Sequence, residues 1–458
     1  MFLFASAKVD ARAVISLTMP FAASVKTDES ALDSLELSLV REEGISESTF
    51  AAGRHLLMFG SLYFAQGAMV SYFTNFQKPY LSSVGIATNT IGFLSSLILL
   101  PFILKIVMGM VSDRVNLLGF GYRKPYILLG LTLAMAMLAA ASMVQPQVNL
   151  ALFASLVFLA SFGMALFDTA TDGLAIDVTT PKWHGAVQAS MVAGRAGGLI
   201  FISLSCGILA ERQNYSSILI VIAFCLLVPL FLIMQFREPL AQVRRKNLLR
   251  RALKNFLTAK ILIFCAYIFV ATFIMWGGIN DLVSFYMSRE LGASPAQIGT
   301  YGALVGAGSI AGALIAGMAF DRWSKQSPAY IGVLIISTVG VLLGLTTTVS
   351  SMYLLGLVWG FAFGFQQTVL VALAMRLTDI RASASMFTIL MTIANVGLTA
   401  GEGVTTSLSD NIGFSRMFWL LSAINLLLFL GLWVLFKLMR TDRSSVSSSG
   451  ANFESIGG

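Results

Sequence analysis

The sequence predicts an all-α polytopic membrane protein, with twelve transmembrane helices arranged as two six-helix bundles. Three observations carry that expectation. Of 458 residues, 57% are apolar and 11% are charged, against about 25% charged in soluble domains. Twelve apolar runs follow one another from His55 onward, each close to the ~20 residues that a spanning helix needs. A Gly-Met-x-x-Asp-Arg motif occurs twice, 208 residues apart.

Residues 1–54 hold eight acidic and five basic side chains scattered among Ser and Ala. That composition cannot bury a core and predicts a disordered cytoplasmic arm. Lys8, Asp10 and Arg12 interrupt its apolar start, so no signal peptide is expected. The runs then occupy 55–77, 88–110, 125–144, 149–176, 186–209, 216–236, 261–287, 296–319, 329–348, 352–377, 383–408 and 415–438. Between the sixth and seventh, residues 237–260 carry eight Lys or Arg against one Glu. This segment predicts an amphipathic helix on an anionic leaflet, and it divides the chain into bundles at 55–236 and 261–440. Residues 441–458 predict a disordered cytoplasmic tail.

With both termini inside, the inner connections hold 19 Lys or Arg and the outer ones four: Lys78, Arg212, Arg289 and Arg416. That bias predicts an N-in, C-in topology. The net charge of +8 therefore sits where membrane topology requires it, and no nucleic-acid partner is expected. Cys206, Cys225 and Cys265 lie inside apolar runs, and His55 and His184 are the two histidines. Neither a disulfide framework nor a metal set is expected. No GxxxxGK[ST] loop is present, so the chain is not expected to hydrolyse ATP. No nucleophile or metal set gathers near one interface, so neither an enzyme nor a cofactor is expected.

The repeated motif closes the second run as Gly109–Arg114 and the eighth as Gly317–Arg322. Its glycine permits close helix approach, while its Asp and Arg can pair with each other, with helix termini or with another span. An inner gate made of Gly109, Asp113, Arg114, Arg123, Lys124, Gly317, Asp321 and Arg322 is the expectation. The other reading is a stop signal that fixes topology.

Gly109, Asp113, Arg114, Gly121, Arg123 and Lys124 fit the motif between spans 2 and 3 of the major facilitator superfamily, which the chain resembles from residue 55 to about 440. The resemblance implies two bundles that rock about a central cavity. Leu100–Lys105 followed by Gly121–Tyr126 resembles the branch that contains muropeptide permeases, folate–biopterin transporters and acetyl-coenzyme A transporters. It implies a monomeric secondary active transporter in the cell (inner) membrane, moving a small organic solute such as a sugar–peptide or pterin-like compound with protons. The stretch Asp168–Asp177 is also similar to relatives that help assemble light-harvesting complexes. That similarity implies an alternative, a pigment–protein assembly factor that transports nothing. Gly194–Gly198 contains no proline, unlike the span 5 signature of drug/proton antiporters.

Lys105, Asp168, Asp172, Arg195, Asp281 and Glu402 lie well inside apolar runs, where an ionisable group costs at least ~2.5 kcal/mol and tends to mark a pathway. At ~1.5 Å per residue, Lys105, Asp168 and Arg195 share a level roughly 12 to 17 Å from the inner ends. Asp168 and Asp172, four apart, share a helix face. Two readings stand for this set: a permanent ion network tying spans 2, 4 and 5, or a proton site at Asp168 or Asp172. Lys105 alone can also snorkel to the inner interface. Asp281 and Glu402, about twenty residues along their runs, are expected near the outer face, either as an outer gate or as merely interfacial groups. Two buried bases against four acids disfavour a polyanionic solute.

In the superfamily pattern, spans 1, 4, 7 and 10 line the cavity. That implies Tyr63, Gln66, Asp168, Trp276, Gln366 and Gln367 as cavity residues, with helix packing as the other role open to Tyr63 and Trp276. Glycines at 302, 306, 308 and 312 predict close-packed faces on span 8.

Overall fold

The computed structural model describes residue 53 and residues 55–440, apart from 120, 180–183, 213–214, 239–257, 323–325 and 378–382. The N-terminal arm, most of the basic central segment and the C-terminal tail lie outside the described residues.

Twelve long helices are present among the described residues. They are α1 (His55–Ser83), α2 (Thr88–Ser112), α3 (Lys124–Ser142), α4 (Leu150–Val178), α5 (Ala186–Arg212), α6 (Ser216–Gln235), α7 (Ala259–Arg289), α8 (Pro295–Phe320), α9 (Gln326–Leu345), α10 (Val349–Met375), α11 (Ser383–Ile412) and α12 (Phe414–Arg440). All but α11 are long and apolar enough to cross a membrane. Although α11 is 30 residues long, it carries Asn395, Thr399, Glu402 and Thr405. These polar groups turn inward: Asn395 Nδ2 donates to the Phe102 carbonyl at 3.1 Å, and Thr405 Oγ1 to that of Gly277 at 3.1 Å. Lipid is thereby spared the polar face, as a hydrocarbon solvent requires.

The two halves repeat one pattern of packing. α2 lies on α4, α3 on α4 and α6, and α1 on α5; correspondingly, α8 lies on α10, α9 on α10 and α12, and α7 on α11. Between halves, α5 packs on α8 and α2 on α11, pairings that exchange when each helix is replaced by its counterpart. Both leading helices also contain a π-helical stretch, Tyr72–Phe76 in α1 and Phe273–Asn280 in α7. Such widened turns re-aim the side chains that follow and frequently occur at functional sites.

Two departures from the sequence expectations concern helix ends. α1 runs past residue 77 to Ser83, so Lys78 is fully buried within a helix and not part of an outer loop. α2 is interrupted at Leu104, three residues after Pro101, and resumes at Lys105. Pro101 has no N–H to give the Leu97 carbonyl, so α2 lacks one rung in the turn that precedes this break.

The α8 glycines form two close-packed faces, as their spacing predicts. A Cβ on Gly308 would lie 2.1 Å from the Leu357 carbonyl oxygen and one on Gly312 2.0 Å from that of Phe361, both on α10. A Cβ on Gly302 would lie 2.5 Å from Asn75 Nδ2 of α1 and 2.8 Å from Ser203 Oγ of α5. The motif glycines differ: among the described residues nothing lies within 4 Å of a Cβ on Gly317, and one on Gly109 would make an ordinary 3.5 Å contact with Thr169. In this conformation, close helix approach therefore does not explain either residue.

Gly312→Val is expected to separate α8 from α10 and cost about 1–3 kcal/mol through overpacking. Gly317→Ala is expected to be neutral or stabilising by up to about 1 kcal/mol, because a helix interior favours Ala. Thermal unfolding of the purified variants in detergent measures both.

Candidate functional site

The site is built around α4. Asp168 is buried at 2% exposure and accepts from Gln66 Nε2 of α1 at 2.7 Å through Oδ1. Its Oδ2 forms an ion pair with Lys105 of α2. Lys105 thus pairs across to α4, and the snorkelling reading of Lys105 is overturned. The ammonium also lies 5.3 Å from the Phe102 ring centroid. The carboxylate is removed from water while the Lys105 side chain is 21% exposed, and the ion pair together with the amide bond offsets the cost of burying Asp168.

One turn further along α4, Asp172 is exposed and accepts a hydrogen bond from Tyr63 of α1. Asp168, Lys105 and Arg195 all lie within electrostatic reach of its carboxyl. With its partners on α1, α2 and α5, the exposed carboxylate faces an internal space and not lipid. The two acids share a helix side, as their spacing requires, yet one is sealed by an ion pair and the other is open.

Across the cavity, Arg195 of α5 lies over the Trp276 ring at 5.8 Å from its centroid. Trp276 Nε1 donates to Gln367 Oε1 of α10 at 2.9 Å, and the indole meets Phe363 edge-on, with centroids 4.6 Å apart. Arg195, Trp276, Phe363 and Gln367 are half-buried. Gln66 and Gln366, by contrast, are buried at 4% and 2%. Gln366 Nε2 donates to Tyr267 Oη of α7 at 2.8 Å. These two amides therefore lie behind the cavity wall, which corrects the expectation that they line it. Each occupies the seam between the first and fourth helix of its half.

At one end of the protein, the sequence motif between α2 and α3 grips residues beyond α6. Arg123 Nε donates to Asp177 Oδ2 at 3.1 Å and its Nη1 to Ser112 Oγ at 2.7 Å. Lys124 Nζ donates to the carbonyls of Met234 and Phe236 at 2.9 and 2.7 Å. Glu238 accepts from the backbone N–H groups of Tyr122, Arg123 and Lys124 at 3.0, 3.0 and 2.8 Å, so it supplies negative charge at the N-terminus of α3. Gly121 makes room for it, since a Cβ there would lie 2.2 Å from Glu238 Oε2. Sequence reasoning missed this role of Glu238; its signal was a single acid among eight bases. The side chains of Asp113, Arg114 and Asp321 lie outside the described residues, and Arg322 is exposed.

At the opposite end, the halves are bound together. Ser284 Oγ donates to the Thr74 carbonyl at 2.5 Å, Ser96 Oγ to that of Thr399 at 2.8 Å and Ser407 Oγ to that of Asn89 at 3.4 Å. Lys78 donates to the Asp281 carbonyl and pairs with Glu402 at 2.5 Å. Asp281 and Glu402 are 6% and 3% exposed. The interfacial reading of both is overturned, because they meet the buried cation that the helix count had assigned to a loop, and the outer-gate reading is left. Asp172 is exposed and lies five residues along α4 from Asp177, which pairs with Arg123, and so on the side away from this closed end.

The sequence profile of the Major Facilitator Superfamily matches residues 57–288 and 265–456. The chain belongs to the Major Facilitator Superfamily. Membership makes it a multi-pass membrane transporter and not an enzyme. Among curated relatives, it is 26% identical over 429 residues to a folate–biopterin transporter of Synechocystis sp., with 82% of this chain and 81% of that protein covered. Among solved structures, it superposes on a variant of the nucleoside transporter NupG with a TM-score of 0.69 at 13% identity, covering 83% of this chain and 100% of that one. A D-xylose–proton symporter gives a TM-score of 0.62 at 16% identity, with 85% and 97% covered. These structural likenesses establish the fold of this superfamily member.

Asp168→Asn is expected to lower stability by about 3 kcal/mol, because Lys105 is left without its counter-charge. The double variant Lys105→Met/Asp168→Asn is expected to recover part of that loss. A double-mutant cycle on thermal or denaturant unfolding checks both outcomes.

Proposed function

We propose that the protein is a proton-coupled secondary active transporter for a pterin-like solute, with Asp172 as the coupling carboxylate. The observation that carries this reading is the contrast along α4 between sealed Asp168 and cavity-facing Asp172. A carboxylate that exchanges a proton needs water on one side and a changing set of charges on the other. Asp172 has access to the cavity together with Tyr63, Lys105 and Arg195 as neighbours. The Lys105–Asp168 pair, held within one half, serves as the fixed charge against which Asp172 titrates.

The solute class follows from the chemistry of the wall. Trp276 and Phe363 offer a surface for a flat heteroaromatic ring. Asp172 Oδ2 can accept from an amino–imino edge, Gln367 can bond a ring carbonyl, and Arg195 can pair with a carboxylate on the solute. Among the described residues, Lys105 is already paired with Asp168, and the remaining base, Arg195, suits a mildly charged solute better than a polyanion. The folate–biopterin relative, matched over most of its length, favours the same class, and the xylose–proton symporter of the same fold is in keeping with proton coupling.

Orientation follows from charge. With Lys78 buried in α1, the outer connections retain Arg212, Arg289 and Arg416, and the bias toward the Arg123 end grows. The reading places that end and both termini in the cytoplasm, the protein in the inner membrane as a monomer, and the cavity open inward in this conformation. Segments 55–236 and 261–440 are the two rocking bodies. Residues 1–54, 237–260 and 441–458 are cytoplasmic, and the motifs at Gly109–Arg114 and Gly317–Arg322 form the inner gate.

Proteoliposomes given an inward pH gradient are expected to accumulate biopterin or folate. Asp172→Asn is expected to abolish accumulation against a gradient while sparing exchange of labelled for unlabelled solute. Normal concentrative uptake by that variant contradicts the assignment to Asp172.

A further inference from the structure

The closed end holds an ionic cluster that the proposed cycle does not use. Lys78 of α1 has no exposed side-chain surface, and it reaches both the Asp281 backbone carbonyl of α7 and Glu402 Oε1 of α11. Asp281 Oδ1 accepts from Asn280 Nδ2 at 2.9 Å, and Asn280 Oδ1 in turn accepts from Trp359 Nε1 at 3.1 Å. The π-helical turn Phe273–Asn280 ends immediately before Asp281. α11 approaches there because Gly277 has no side chain: a Cβ would lie 2.2 Å from the Leu398 carbonyl and 2.4 Å from the Glu402 nitrogen. The cluster therefore joins three helices and both halves.

The cluster's charges do not balance. Two carboxyls face one ammonium, and all three residues are more than nine-tenths buried. Glu402 Oε2 is buried with no donor, and the Glu402 carboxyl meets that of Asp281 at hydrogen-bonding range. Ionised carboxylates only accept, so that contact becomes a bond when one of them carries a proton. Among the described residues, no further ion pair reaches the cluster. α2 from 88 to 103 and α10 from 349 to 365 contain no acid or base apart from Tyr353, and Arg416 of α12 is exposed. Arg289 and Asp410, further out, pair with each other at 3.1 Å and are 41% and 42% exposed. An isolated buried negative charge costs several kcal/mol.

We propose that Lys78, Asp281 and Glu402 form a proton-binding site, and that closing this end of the transporter takes up one proton onto Glu402, whose carboxyl faces that of Asp281. The proton comes from water on the Lys78 side and returns there when the end reopens and the carboxylates are hydrated. It sets the pH dependence of the gate and is distinct from the proton carried at Asp172. The inference rests on the alternating-access reading above.

The test measures the gate directly. Spin labels are placed at Ser82→Cys and Asn411→Cys, which border the cavity at this end, in a full-length chain with Cys206, Cys225 and Cys265 replaced. Pulsed electron–electron resonance in nanodiscs then reads open and closed populations between about pH 5 and pH 8. In the parent, the closed-to-open ratio is expected to rise toward about tenfold per pH unit as pH falls, as binding of one proton requires. Glu402→Gln and Asp281→Asn, each neutral and close in shape, are expected to stay closed with a flat pH response. Lys78→Met is expected to move closure to lower pH. A flat parent, or a parental slope in both carboxyl variants, overturns the proposal. A negative uptake screen beside an intact slope counts against the transport reading and leaves the gate proton standing.

Discussion

A charge inside a bilayer has no water to turn to, and the rest of this structure depends on where each such charge finds its opposite. Lys105 and Asp168 meet within the first half, between α2 and α4. Lys78 and Glu402 meet between halves, between α1 and α11. The geometric difference has a mechanical consequence: a pair within one bundle survives any rocking of that bundle, whereas a pair across the seam must separate when the seam opens. Removing one partner from either pair leaves a buried charge uncompensated, at a cost of about 3–5 kcal/mol. The first pair is therefore read as scaffold and the second as latch.

The duplicated architecture makes the chemical divergence of the halves legible. The same helix pairings occur in both, and a buried amide sits between the first and fourth helices of each. In the first half, Gln66 bonds Asp168; in the second, Gln366 bonds Tyr267. Where α4 carries two acids, α10 carries Gln366 and Gln367. Titratable chemistry is concentrated on one side of the cavity, while the other side offers Trp276, Phe363 and an amide. Arg195, resting over Trp276, connects the two. This asymmetry is what the proposed solute site exploits.

Much of this fold could be read before any coordinates, because span length and the repeated motif are properties of short windows. The limits of eleven helices follow from apolar runs alone. What could not be read was azimuth. The sequence gives the depth of Asp281 and Glu402 along their helices but not the face they present, and their partner lies more than 200 residues away for one and 300 for the other. Lys78 followed by Pro79 resembles a loop in one dimension; in three, α1 continues and carries it inward. Gln66 and Gln366 fall at the right level but point into helix seams. Glu238 was hidden because its partners are backbone amides, which have no signature in composition. Asp168 and Asp172 were placed correctly on one face, although the sequence could not tell which would be sealed.

The central claim is that the halves separate at the Lys78 end during each cycle. A disulfide between Ser96→Cys of α2 and Gly403→Cys of α11, in a chain lacking Cys206, Cys225 and Cys265, tests it most directly. Ser96 Cβ lies 3.2 Å from an ideal Cβ on Gly403, near the ~3.8 Å usual between bridged cysteines. The account requires oxidised protein to lose solute uptake in proteoliposomes and to regain it on reduction. Full uptake with the bridge intact would contradict it.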